Sequence, residues 1–262
     1  MTQAEQVSAD AYGTGSVYVS KKEIGDEIYY VRNGGYRRAS LARINANGTQ
    51  QDLVEINGGA NLDGHASAGL LLTQTEYCNN YTAYKDIYRY DPESNELKRL
   101  TKCGRYLFAS WHPSGAQMVA VHHDKGRFEL HLLDSDAKLQ QVLWQAEDGE
   151  IIGELDVSPA GDSVVATIWR RGKGWNLEKF NLGSKVWNKI TSGANITASP
   201  QFDSAGNILF SLEHEGAYNL FRYYVDSANI EQLTNVVGGA FQPDQAEVGE
   251  PVYYTGDSVK GT

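Results

Sequence analysis

The 262-residue chain contains no apolar run near the ~18 residues that a spanning helix needs. Its densest apolar stretches, residues 70–72 and 164–168, are short, so insertion of this chain into a membrane is not expected. Positive charge is also scarce: 23 Lys and Arg against 33 Asp and Glu give a formal net charge of −10. That balance repels nucleic-acid backbones and anionic lipid surfaces, and neither is expected as a partner. The local basic spots, Arg37-Arg38 and Arg170-Arg171 with Lys173, read as solvated loop charges. Cysteine is limited to Cys78 and Cys103, too few to decide the redox compartment. The opening residues, MTQAEQVSADAYGTG, lack the apolar centre of a secretory signal and read as a flexible segment over 1–15. A cytoplasmic location, or a signal lying outside this sequence, fits that observation.

Catalytic phrases are missing too. The chain has no Gly-x-Ser-x-Gly elbow, no phosphate loop and no His-Glu-x-x-His. Any enzymatic activity is therefore expected to lie outside this chain, and no cofactor is expected. No window shows a sustained 3.6-residue period, which predicts almost no helix.

What is present is a repeat. The phrases HASAG, HPSG, SPAG and DSAG end in Gly69, Gly115, Gly161 and Gly206, at spacings of 46, 46 and 45. After each runs an apolar segment (LLLTQ, QMVAV, SVVATIW, ILFSL), a polar or Gly-containing stretch, an aromatic segment (IYRYD, FELHLLD, WNLEKFNL, YNLFRYYVD) and a short last strand (ELKRLT, QQVLW, VWNKIT, IEQLT). The segments are rich in β-branched and aromatic residues and bounded by Gly, Asn, Asp and Ser, so each unit reads as four short strands. A four-stranded unit about 45 residues long is the signature of a propeller blade. The apolar runs do not alternate strictly, which fits strands buried on both faces.

The predicted fold is an all-β propeller of four-stranded antiparallel blades, of the six-bladed type, with the sixth blade incomplete. The blades fall at about 16–60, 61–104, 105–148, 149–193 and 194–235, with a partial one over 236–262. Two explanations of the half blade are open: the chain is part of a longer protein, or the ring closes by pairing an N-terminal strand with the last blade.

The units resemble the TolB-like propeller repeats of bacterial envelope proteins. The resemblance rests on Trp111-His112-Pro113-Ser114-Gly115, Val157-Ser158-Pro159-Ala160-Gly161, Ile87-Tyr88-Arg89-Tyr90-Asp91, and the endings Leu100-Thr101, Ile190-Thr191 and Leu233-Thr234. It covers roughly residues 27–256. The consensus acid before the turn glycine is Ala68, Ser114, Ala160 or Ala205 here, so no role carries over for an acid at that place. The resemblance implies a non-catalytic protein-interaction or scaffold module of a larger envelope protein, in the periplasm or at the cell surface. Similar propellers also precede the catalytic domain of prolyl-oligopeptidase-type serine peptidases. The alternative function is such a propeller domain, or a propeller enzyme with a His-bound metal.

Three groups of residues are candidates for function. Tyr77, Tyr81, Tyr84, Trp169, Arg170, Trp175 and Tyr218 fall near the loops between second and third strands, where aromatics beside Arg suit a partner-binding rim; packing between blades is the other reading. His65, His122 (or His123) and His214 are assigned to that same rim and would form a transition-metal set if they converge; solvated loop histidines are the alternative. His112 is expected to cap its turn and His131 to pack within its strand. Cys78 and Cys103 should lie on one rim of the second blade, where a disulfide closing about 25 residues would add roughly 3 kcal/mol; two reduced thiols are the other reading.

Overall fold

A computed structural model describes residues 5–7, 17–34, 37–193, 195–245 and 247–257. The flexible segment expected over 1–15 lies, apart from 5–7, outside the described residues. No helix occurs among those residues, and none is long and apolar enough to cross a membrane.

The chain is an all-β propeller with five blades of mainly antiparallel sheet. Blade one comprises β1 (Val17–Ile24), β2 (Glu27–Gly34), β3 (Arg37–Ile44) and β4 (Gln50–Glu55). Blade two comprises β5 (Asn61–His65), β6 (Gly69–Tyr77), β7 (Ala83–Asp91) and β8 (Glu96–Arg99). Blade three comprises β9 (Tyr106–Trp111), β10 (Gln117–Asp124), β11 (Arg127–Asp134) and β12 (Leu139–Gln145). Blade four comprises β13 (Ile151–Val157), β14 (Ser163–Arg170), β15 (Gly174–Asn181) and β16 (Trp187–Lys189). Blade five comprises β17 (Thr197–Phe202), β18 (Ile208–His214), β19 (Ala217–Tyr224) and β20 (Asn229–Gln232). The hairpin β21 (Gly239–Asp244) and β22 (Tyr253–Asp257) follows, and one parallel bridge, Tyr218 to Gly239, joins it to blade five. The first strands pack in succession, β1 on β5, β5 on β9, β9 on β13, β13 on β17 and β17 on β21, and β21 returns to β1. The hairpin thus fills the gap between blades five and one.

The repeated phrase sits at the turn between first and second strands. Gly69, Gly115, Gly161 and Gly206 all adopt positive φ, from 65° to 83°. At Gly69 a Cβ would also lie 2.5 Å from the Tyr90 carbonyl oxygen. The residue opening each turn caps it, by whatever acceptor it carries: His65 Nδ1, Ser158 Oγ and Asp203 Oδ1 each accept two backbone amides, and His112 Nδ1 accepts that of Ser114.

The Leu-Thr endings have an equally local cause. Leu100, Ile190 and Leu233 donate their amides to Ile87, Leu177 and Leu220 in the third strands. The hydroxyls of Thr101, Thr191 and Thr234 accept the amides of those same three residues, at 2.8–2.9 Å. Each ending fastens the fourth strand to the third beyond the last ladder bond.

The second strands are apolar without alternation because successive residues enter different interfaces. Leu70 and Leu72 pack on Tyr29, Val31 and Leu41 of blade one, whereas Leu71 joins Met118 and Ala120 of blade three. Val119 and Val121 face Val164 and Ala166 of blade four, and Val165 faces Ile208 and Phe210 of blade five. A blade alone would leave both of these faces in water.

Candidate functional site

In a blade of this connectivity the loops between second and third strands share one rim with the blade-to-blade connections. On this loop rim Cys78 and Cys103 are joined in a disulfide, with a sequence separation of 25. The loop it anchors is tied down twice more. Cys78 N donates to Thr82 O (2.9 Å), and Asn79 Oδ1 accepts the amides of Tyr81 (2.9 Å) and Thr82 (3.0 Å). Tyr81 projects from this fixed base at 93% exposure, and Tyr77 beside it at 72%.

The other rim candidates are engaged within the protein. Tyr84 lies under Arg105, whose guanidinium carbon is 4.1 Å from the ring centroid; Arg105 also donates to the Tyr84 hydroxyl (2.9 Å) and pairs with Asp124 (2.5 Å). Trp169 and Trp175 are half-buried cross-strand partners, and the Trp175 ring covers Gly153. Tyr218 packs on Phe241, with centroids 4.9 Å apart. Arg170 is no solvated loop charge, because Glu150 and Glu178 both pair with it.

The metal set expected from His65, His122 and His214 is not assembled. Successive turns of an antiparallel blade alternate between rims, and His65 belongs to the turn between β5 and β6, on the opposite rim. Its ring is occupied there: Nδ1 accepts the Ser67 and Ala68 amides, and Nε2 bonds Pro113 O at 3.0 Å. His214 is exposed at the end of β18, with Glu215 3.9 Å away. His122 is half-buried on β10, where its neighbours are Tyr106, Glu129 and His131. Burial first, and His131 next, lower its pKa.

A second polar feature lies on the axis. The channel is lined by Asn61, Asp63, Phe108, Glu154, Asp156 and Gln201, among others. Across it Lys22 of β1 reaches Asp63 (3.7 Å) and Asp244 (3.5 Å). Gln201, its amide turned to satisfy both neighbours, accepts from Lys22 Nζ (2.6 Å) and donates to Pro243 O (2.9 Å). The acids also staple blades together: Asp63 accepts the Trp111 amide (2.7 Å), and Asp156 accepts the Phe202 amide (2.7 Å) and the Ser110 hydroxyl (2.9 Å). The surrounding carboxylates raise the Lys22 pKa despite its burial.

Asp156 is pushed up to about 6. Burial is the main cause and Asp63 adds to it, while Lys22 and the bonds from Phe202 and Ser110 oppose it. An acid whose native pKa exceeds its unfolded value, about 3.9, holds its proton more tightly when folded. Its contribution to stability is complete below about pH 4 and is lost as pH rises through about 6. Asp156→Asn removes that dependence. Thermal melts are expected to show the variant gaining on the wild type between pH 4 and 7; a pH-independent difference would contradict the assignment.

No family model matches the sequence, and no curated protein does. Solved structures match it closely in shape. TolB from Acinetobacter baumannii superposes with a TM-score of 0.73 at 16% identity, over 88% of this chain and 57% of that one. The chain is a β-propeller structurally similar to TolB. The propeller domain of the Trilobed protease from Pyrococcus furiosus (TM-score 0.59, 12% identity, 91% of this chain and 90% of that one) and the tricorn protease (0.66, 14%, 92% and 24%) share the arrangement. At such identities the likeness is one of fold. This propeller spans little more than half the length of the A. baumannii protein.

Sequence inspection passed over several residues that organise this propeller: Lys22, Asp63, Asp156 and Asp244 on the axis, Asp86 under the disulfide, and Glu129 between His122 and His131. The aligned repeats held part of the signal. Asp63 and Asp156 both stand two residues before the turn-opening position, and Asp86, Asn176 and Asn219 each stand one before the residue that the Leu-Thr ending grips.

Proposed function

We propose that this propeller is a non-catalytic protein-docking module of a larger bacterial envelope protein, working in the periplasm or at the cell surface. Tyr77 and Tyr81 carry the proposal: two large, amphipathic rings held in water by a loop that a disulfide and an Asx turn make rigid. A pre-ordered aromatic pair loses little conformational entropy when a partner covers it, which is how anchors of interfaces work. The disulfide favours an oxidising compartment. We read the ring as the six-bladed type, with β21 and β22 as an incomplete sixth blade; the six first strands packed in a closed succession support this.

A photo-crosslinking amino acid at position 81, tested in cells, is expected to give discrete protein adducts that are absent when it is placed at Ala66 on the opposite rim. The double variant Tyr77→Ala/Tyr81→Ala is expected to lose capture of the cross-linked partner while its stability stays within about 0.5 kcal/mol of the wild type. Identical adducts from both rims, or undiminished capture by the double variant, would refute the docking role. The likeness to the tricorn and Trilobed protease structures supports a second reading, a propeller domain of a peptidase. An α/β-hydrolase sequence adjoining this one in its reading frame would favour it.

A further inference from the structure

On the face of blade three turned toward blade two, the register of β10 and β11 sets His122 directly opposite Glu129, and His131 opposite Ala120. His122, Glu129 and His131 therefore share one face, two positions apart along the strands. His131 Nε2 lies 2.8 Å from Glu129 Oε2, and His122 Nδ1 lies 3.5 Å from the same oxygen. The two imidazoles stack, with centroids 4.6 Å apart and planes 17° from parallel. One nitrogen or oxygen from each of the three residues falls within 4.8 Å of the others.

Two further observations point to a ligand here. His122 Nδ1 is buried and, among the described residues, makes no hydrogen bond of acceptable geometry, although a buried ring nitrogen is normally satisfied. The second nitrogen of His131 meets the Tyr106 hydroxyl at 3.3 Å. That hydroxyl serves as the kind of outer partner that orients metal-binding histidines: it fixes the ring and leaves Nε2 aimed at the Glu129 carboxylate.

We propose that His122, Glu129 and His131 form a binding site for a divalent transition metal of the zinc class, between blades two and three at the loop rim. Ligand atoms held at about 2.0–2.1 Å by a tetrahedral ion stand about 3.4 Å apart; the two separations from Glu129, 2.8 and 3.5 Å, lie near that value, while the two imidazoles, whose nitrogens lie within 4.8 Å of each other, must turn out of their stack for both to face one ion. Two imidazoles and one carboxylate suit Zn²⁺, Co²⁺, Ni²⁺ or Cu²⁺, and they disfavour Ca²⁺ and Mg²⁺, which take oxygen ligands. The side chains of His122 and Glu129 keep 21% and 25% exposure, so the ion has an entry path, while His131, at 5%, forms the floor. Three protein ligands leave one position for water. Arg105, which pairs with Asp124 of β10, stands two residues after Cys103, so a bound ion would brace the base of the loop that carries Tyr81.

The test is Zn²⁺ titration of chelator-treated protein by calorimetry, with Co²⁺ absorption as a report on coordination. One ion per chain is expected. Glu129→Gln and His122→Asn, each folded by circular dichroism, are expected to weaken binding by on the order of 100-fold or more, whereas His65→Ala and His214→Ala leave it unchanged. His131→Gln removes a more deeply buried group, so its binding is compared only if its melting curve remains cooperative. Failure of the wild-type chain to bind Zn²⁺ at one per chain, or equal affinity in the Glu129 and His122 variants, would overturn the proposal.

Discussion

Replacing Lys22 by methionine is expected to destabilise the propeller by about 3–5 kcal/mol, the usual result of removing one member of a buried ionic group. Lys22 and its partners Asp63 and Asp244 retain only 18%, 10% and 3% side-chain exposure. Without the ammonium, these two acids and Asp156 lose the cation they share across the axis, and Gln201 loses a donor. Urea denaturation at pH 7 measures the loss. Two controls make the result specific. Asp244→Asn in the Lys22→Met background should recover part of the stability, because it removes one of the stranded charges. Lowering the pH should narrow the gap to the wild type, because the acids then neutralise by protonation. A loss below 1 kcal/mol, or no recovery in the double variant, would show that water shields the axis.

The second large effect is expected at Asp86, which is wholly buried under the loop rim. Its carboxylate accepts from Arg99 Nη2 (2.6 Å), Thr101 Oγ1 (2.8 Å), Cys103 N (3.1 Å) and Gly104 N (2.6 Å). It also holds a strained connection: Cys103 and Arg105 adopt φ of 59° and 58°, which costs a non-glycine residue on the order of 1 kcal/mol each. Asp86→Ala strands these donors and releases that connection, for an expected loss of about 3–5 kcal/mol. Hydrogen exchange at Cys103 and Gly104 should accelerate further than at residues in β10. Asp86→Asn retains one acceptor oxygen and should fall between the two. If exchange accelerates uniformly across blade two, the carboxylate supports the whole blade and not the connection specifically.

The architecture was legible because its determinants are local. A positive-φ glycine, a capping residue before it and an apolar run after it lie within a dozen positions, and they recur four times. The polar chemistry was not legible, because it joins residues about 45 positions apart. Asp63 meets the amide of Trp111, and Asp156 that of Phe202, yet each acid read alone is an ordinary charge near a turn. Arg170 beside Arg171 and Lys173 read as solvated for a related reason: its partners come from other segments, Glu150 from the connection before β13 and Glu178 from β15. His65 was assigned to the wrong rim because its strand end was taken for a blade connection. His131 was correctly expected within its strand, but its partners follow from strand register, which no single segment reveals.

The opposed faces of the second strands invert the usual sense of neighbourhood. Leu70 and Leu71 adjoin along the chain, yet they serve separate interfaces, and damage at one is energetically foreign to the other. Leu71 and Met118, almost fifty positions apart, fill the same space. Variation tolerated in this molecule should therefore be correlated at a distance of one repeat and independent from one residue to the next, the reverse of what a helix imposes.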